Sequence, residues 1–177
     1  NNKTLADNLY KDSVEILNTI EENETKYDKG KTTYFENKNL EKYDSFKMWI
    51  YYILNESKEY LKFLEAKEFD MKITDIWISE INKGGSHPLH VHQGSILSGT
   101  FYVHVPKNSG KISFQRHEWM SDPFQQLEFK RYNDLNSSIM RLSPQKGDLY
   151  IWKSDLPHLV EKNNSDSRIA VSFNIGF

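Results

Sequence analysis

The chain contains no cysteine among its 177 residues. A disulfide scaffold and any thiolate metal site are thereby excluded, so a bound metal must be held by histidine, aspartate, glutamate or water. No apolar run approaches the roughly 20 residues that a membrane span needs, and no signal-peptide pattern is present. An excess of charge of either sign is missing too: 23 Lys+Arg against 25 Asp+Glu leave a formal charge of −2. Such a balance carries no electrostatic footprint for nucleic acid, and no basic block is long enough to suit an anionic membrane. Repeats and low-complexity tracts are also absent. A soluble, cytoplasmic protein is the default expectation. The chain begins at Asn1 without a methionine, which fits a native start that is missing here.

What is present suffices for a core. Apolar residues make up 37% and aromatics 14%, so intrinsic disorder is a poor description. The length suits a single domain over residues 1–177 better than two. Within it the apolar period changes near Asp70. Before that point Leu5, Leu9, Ile16 and Ile20 fall at helical spacings, with Thr4 and Asp7 as a cap-like pair. A stronger stripe follows with Phe46, Trp49, Ile50, Ile53, Tyr60, Leu61 and Leu64, capped by Asp44 or Ser45, and suits packing on a sheet.

After Asp70 the pattern is that of strands, near 72–81, 98–105, 111–115, 138–142, 148–152, 158–161 and 168–175. Turns such as Lys83-Gly84-Gly85 and Pro106-Lys107-Asn108-Ser109-Gly110 separate them. Many short strands with few helices between them predict a sandwich or barrel rather than a parallel sheet. The stretch from Trp119 to Ser137 has no clear period yet carries Phe124, Phe129, Arg131 and Tyr132. It reads either as a lid over a site or as a surface excursion.

The histidines concentrate the chemistry. His90 and His92 lie two apart, so an extended backbone points both to one face, where two imidazoles can reach one ion. A third, His158, opens a later strand-like segment. Ten residues on, Arg168 begins an alternating strand. There Ile169, Val171, Phe173 and Ile175 share the apolar face, and Arg168, Ala170, Ser172 and Asn174 share the other. That second face is either solvated or turned into a pocket, where an arginine grips a carboxylate through two parallel, charge-assisted hydrogen bonds. A non-haem iron oxygenase needs three facial protein ligands with open positions beside them. His90, His92, His158 and then Arg168 have the order and chemistry for it.

From about Ile76 to Phe177 the sequence resembles the 2-oxoglutarate and iron(II)-dependent oxygenases of the prolyl-hydroxylase-like superfamily. More narrowly, it is similar to small oxygenases of bacteria and of phages of marine cyanobacteria (cyanophages). The resemblance rests on Trp77, Lys83-Gly84-Gly85, His90-Val91-His92, Ser98 through Val103, Gly147-Asp148, His158 and Arg168 through Asn174. It implies a mostly β protein whose double-stranded β-helix (jelly roll, cupin-like) core spans residues 70–177, with a helical N-terminal support over 1–69. It further implies that His90 and His158 bind Fe(II), that Arg168 pairs with the distal carboxylate of 2-oxoglutarate, and that O2 is consumed with release of succinate and CO2. The partners are then a small-molecule cosubstrate and a primary substrate of unknown identity, in a host cytoplasm if the gene is carried by a phage. Tyr102 matches the place of a cosubstrate-binding tyrosine, with a core aromatic as the alternative. Asn174 matches the place of a polar group near cosubstrate or substrate.

One departure stands out. The superfamily's usual first motif is His-x-Asp or His-x-Glu, whereas His92 fills the second place here. His92 is taken as the third ligand, with a carboxylate from Asp148, Asp155 or Glu118 as the alternative. Three neutral imidazoles leave a metal one unit more positive than two imidazoles and a carboxylate. His87, before a proline, suits a loop, His117 and Glu118 suit the surface, and His104 shares the face of Tyr102. Two rival readings remain open: a three-histidine, cupin-like iron oxygenase without 2-oxoglutarate, and a non-catalytic jelly-roll binding module.

Overall fold

The computed structural model describes residues 2–20, 29–35, 39–115, 127–131, 133 and 137–177. Its first helix, α1 (Lys3–Leu17), is capped two residues before the expected position: the Asn2 side chain accepts the Leu5 N–H at 3.1 Å. Thr4 therefore lies inside the first turn, and Asp7 faces outward to pair with Lys146. The second helix, α2 (Asp44–Phe63), follows a short 3-10 turn at Leu40–Lys42. Neither Asp44 nor Ser45 caps it. The capping position is Tyr43, which makes no side-chain cap bond. Asp44 pairs instead with Lys47 at 2.8 Å, and the Ser45 hydroxyl donates to Asp12, tying α2 to α1. Among the described residues no helix is long and apolar enough to cross a membrane.

The described residues form nine strands, of which the first lies between the two helices and the rest follow them: β1 (Gly30–Thr32), β2 (Lys72–Asn82), β3 (His87–His90), β4 (Leu97–His104), β5 (Ile112–Gln115), β6 (Ile139–Leu142), β7 (Leu149–Lys153), β8 (His158–Val160) and β9 (Ser167–Gly176). They form two antiparallel sheets, ordered β1-β2-β9-β4-β7 and β3-β8-β5-β6. That is the arrangement of a jelly roll, as the many short strands predict. β1 and β3 were not legible as strands. β1 is only 3 residues long, and β3 depends on pairing with β8 rather than on a pattern of its own.

The larger sheet is two-faced. Ile169, Val171, Phe173 and Ile175 of β9, with Leu97, Phe101 and Val103 of β4, join Leu5, Leu9 and Ile16 of α1 and Phe46, Trp49 and Ile53 of α2 in one buried cluster. Trp49 meets Phe173 edge-on at 5.8 Å, and Tyr52 meets Phe101 at 6.0 Å. Gly99 pairs with Phe173, and any Cβ there would run into that ring and into the Tyr150 carbonyl oxygen. The helical stripe and the alternation of β9 thus meet as amphipathic elements must. The opposite face turns to the smaller sheet, and the site lies between the two.

Several details depart from strict alternation. The register of β4 with β9 shifts between Tyr102 and His104. His104 accordingly leaves the face of Tyr102 and stacks on Tyr10 of α1 at 5.0 Å. The Lys83-Gly84 turn forms as expected, with Gly84 at φ +86° and its N–H donating to the Asn163 carbonyl at 2.7 Å. Of the candidate lid, residues 119–126, 132 and 134–136 lie outside the described residues, as do His117 and Glu118.

Candidate metal centre

β3 and β8 run antiparallel with His90 directly opposite His158. The chain leaves β3 at His90, and the His92 N–H donates to the Ser154 carbonyl at 3.0 Å, which ties His92 to the turn that precedes β8. One ligand nitrogen from each of His90, His92 and His158 then lies within 4.8 Å of the others. The ring centroids of His90 and His158 are 4.2 Å apart, and that of His92 is 5.0 and 5.1 Å from them.

Backbone carbonyls set the tautomers. His90 Nδ1 lies 2.8 Å from the Pro88 carbonyl oxygen, and His158 Nδ1 lies 3.0 Å from that of Leu156. A carbonyl only accepts, so each Nδ1 carries the proton and each Nε2 keeps its lone pair free. Charge state agrees with tautomer. Burial, and next the neighbouring His90, pushes the His158 imidazole down to about 3. The same two causes bring His92 to about 4, with Asp75 opposing. Burial also lowers His90, against the Pro88 hydrogen bond. At neutral pH the cluster presents uncharged imidazoles, the form that binds metal.

The cluster opens into a small cavity of about 40 Å³ walled by β2, β3, β4, β5, β7, β8 and β9. Arg168 lines it, only 2% exposed, and its guanidinium carbon sits 4.9 Å from the centre of the Tyr102 ring. Among the described residues, Arg168 Nε has no hydrogen-bond partner, and the Tyr102 hydroxyl is set against the Arg168 guanidinium. Burial raises the Tyr102 phenol to about 12, with the Arg168 charge pulling the other way. It therefore stays a neutral donor. A buried cation with an unmatched N–H is costly to maintain, and an anion entering the cavity relieves that cost. Thr100 and Ser172 hydroxyls, 2.9 Å apart, span the β4–β9 wall beside it. Neutral imidazoles for a divalent ion and a buried guanidinium for a carboxylate are a donor set that fits iron(II) with a dicarboxylate.

Not every expected residue joins the site. Asn174 lies on the same strand face but does not line the cavity: its Oδ1 accepts from Ser98 at 2.8 Å, and its Nδ2 donates to Asp75 at 3.1 Å. No carboxylate lines the cavity among the described residues. Asp148 accepts the Gln145 N–H at 2.8 Å, and Asp155 flanks Lys153. Conversely, His87 is not merely a loop residue. It opens β3, lies 4.1 Å from the His90 ring and lines the cavity, as do Trp77 and Trp152. The short His87-to-His92 spacing carried a signal for His87. For Trp77 the signal was its place on a strand, while Trp152 had none beyond being aromatic.

Residues 75–174 match the protein family described as "Putative 2OG-Fe(II) oxygenase". No curated protein matches the chain. Among solved structures, HygX from Streptomyces hygroscopicus with nickel and 2-oxoglutarate bound superposes with a TM-score of 0.65 at 9% identity, over 99% of this chain and 79% of that one. A Pseudomonas putida prolyl-4-hydroxylase gives 0.62 at 10% identity, over 98% and 86%. The viral collagen prolyl hydroxylase of Paramecium Bursaria Chlorella virus-1, a 2OG complex, gives 0.57 at 14% identity, over 99% and 90%. Some other solved structures are longer, and the chain spans 47% and 49% of two of them. At such identities the likeness is one of fold.

Proposed function

Since the chain belongs to the 2OG-Fe(II) oxygenase family, we propose that His90, His92 and His158 hold the iron, and that Arg168 with Tyr102 receives the distal carboxylate of 2-oxoglutarate. When bound, the iron and the cosubstrate supply O2 activation, with succinate and CO2 released and the primary substrate oxidised, most simply by hydroxylation. The protein's own part is positioning and exclusion of water. The Pro88 and Leu156 carbonyls hold the His90 and His158 rings with Nε2 turned free. Arg168 supplies a fixed cation, and its planar fork matches a carboxylate in a way a lysine would not. The Tyr102 phenol, neutral and set against the Arg168 guanidinium, adds a donor. Asn174 acts one step further out, holding Ser98 and Asp75 behind the wall. The helices of residues 1–69 serve as the support on which the core of 70–177 is braced, the whole working as one oxygenase domain.

The observation that carries this reading is the placement of one ring nitrogen from each of three imidazoles within 4.8 Å, and of an under-partnered buried arginine, on one cavity. It is tested by iron content after anaerobic loading of tag-free protein, followed by succinate release from 2-oxoglutarate. One iron per chain, reduced to background in His158→Ala, with succinate formed only in the presence of iron, is the expected result. Iron without any succinate, even as a slow substrate-free side reaction, favours a three-histidine oxygenase that does not use this cosubstrate. Protein that takes up no iron is a binding module.

A further inference from the structure

Beside the histidine cluster runs a second recess of about 190 Å³, walled by Thr32, Tyr34, Phe35 and Val91 and sharing Trp77, His87, His90 and His92 with the cavity. We propose that this aromatic groove seats the primary substrate and selects an uncharged ring with a flat apolar face. The proposal rests on the oxygenase reading, because it is the shared imidazoles that put the occupant next to the reacting centre.

The groove is built rather than incidental. β1 pairs with β2, with Thr32 opposite Ser79. Thr33 extends that contact: its hydroxyl accepts the Ile78 N–H at 2.9 Å while its own N–H donates to the Ile78 carbonyl at 3.0 Å. The Tyr34 N–H donates in turn to the Thr32 hydroxyl at 3.2 Å. Tyr34 is thereby held edge-on to Trp77 at 5.1 Å and to Phe35 at 5.2 Å. Trp77 leans on His92 at 5.5 Å, so the row of rings leads to the cluster. Even so, Tyr34 is 50% and Phe35 53% exposed. A contiguous row of large aromatic side chains with half their surface in water marks a ligand groove or interaction surface rather than a core.

The rings also decide what enters. Their faces carry negative quadrupole density, so an anion stripped of water there finds no compensation. A cation would be attracted by the rings, but it would sit beside the divalent ion on His90, His92 and His158. A neutral ring escapes both penalties and stacks. A C–H bond on its edge is then carried toward the cluster.

The test uses the full chain labelled with fluorotryptophan, whose Trp77 fluorine signal is assigned by its loss in Trp77→Phe. Indole, indole-3-acetate and tryptamine serve as neutral, anionic and cationic probes built on one ring. Expected is a saturable shift of the Trp77 signal with indole, at least about tenfold tighter than for either charged probe, and about tenfold weaker in Tyr34→Ala. A Trp77 signal that ignores indole, or that answers the charged probes equally well, overturns the proposal. The same samples, given iron(II) and 2-oxoglutarate, are scanned for a visible charge-transfer band. A band with a silent Trp77 sinks the groove and spares the oxygenase reading. Indole binding without a band overturns the groove's role as a substrate site.

Discussion

The two faces of β9 are made from alternate residues of one strand, yet they obey opposite rules. On one face Ile169, Val171, Phe173 and Ile175 are closed off by the helices, and this side is apolar and fully buried. On the other, Arg168, Ala170 and Ser172 border a cavity, with Arg168 Nε left unmatched among the described residues. The first face stabilises the fold by burial. The second carries a desolvated charge that costs stability until an anion arrives. An incomplete hydrogen-bond set thus lies on the reverse side of a complete core.

That contrast can be broken from either side. Phe173→Ala removes a ring wedged against Trp49 on the closed face and should cost about 3–5 kcal/mol, read as a lower denaturant midpoint with an unchanged slope. Arg168→Met on the open face should do the reverse. Its folding midpoint should not fall, while calorimetric affinity for 2-oxoglutarate drops about a hundredfold, about 2.7 kcal/mol, and iron affinity stays the same. If Arg168→Met unfolds the protein as readily as Phe173→Ala does, the two faces do not differ as described.

A smaller effect follows from protons. His87 and His158 are pushed down to about 3 and His92 to about 4, in each case chiefly by burial. The unfolded chain, with histidines near about 6.5, therefore binds more protons between those values. Metal-free protein should keep full stability from this source above about pH 7 and lose it as pH falls through 6 and 5. Thermal melts across that range should show the slope, flattened in His158→Gln. A midpoint that rises on acidification would contradict the buried, neutral state of the cluster. Smallest is the cap of α1: Asn2→Ala should cost about 1 kcal/mol, whereas Thr4→Ala should cost almost nothing.

Legibility in the sequence followed the same division. The seven strands predicted after Asp70 appear within one or two residues of their expected bounds, because alternation and turn residues are local signals. That His90, His92, His158 and Arg168 border one cavity was legible because the chemistry restricts the residue types. What escaped depended on tertiary context. β1 exists only as an edge on β2, and Asn2 caps α1 ahead of Thr4 because the backbone turns there. The bulge beyond Tyr102 redirects His104. Asn174 spends its amide on Ser98 and Asp75, partners 76 and 99 residues away in the chain. The groove of Tyr34 and Phe35 was invisible for the same reason, since those residues reach the site only through β1.

The central claim, that three imidazoles and Arg168 form one working centre, is met most directly by an anaerobic visible absorption titration with iron(II) and then 2-oxoglutarate. The account predicts a charge-transfer band that saturates at one equivalent of cosubstrate and is lost in His90, His92 and His158 variants. In Arg168→Met the band should need far more cosubstrate to appear. Iron bound with no band at any concentration of 2-oxoglutarate would contradict it.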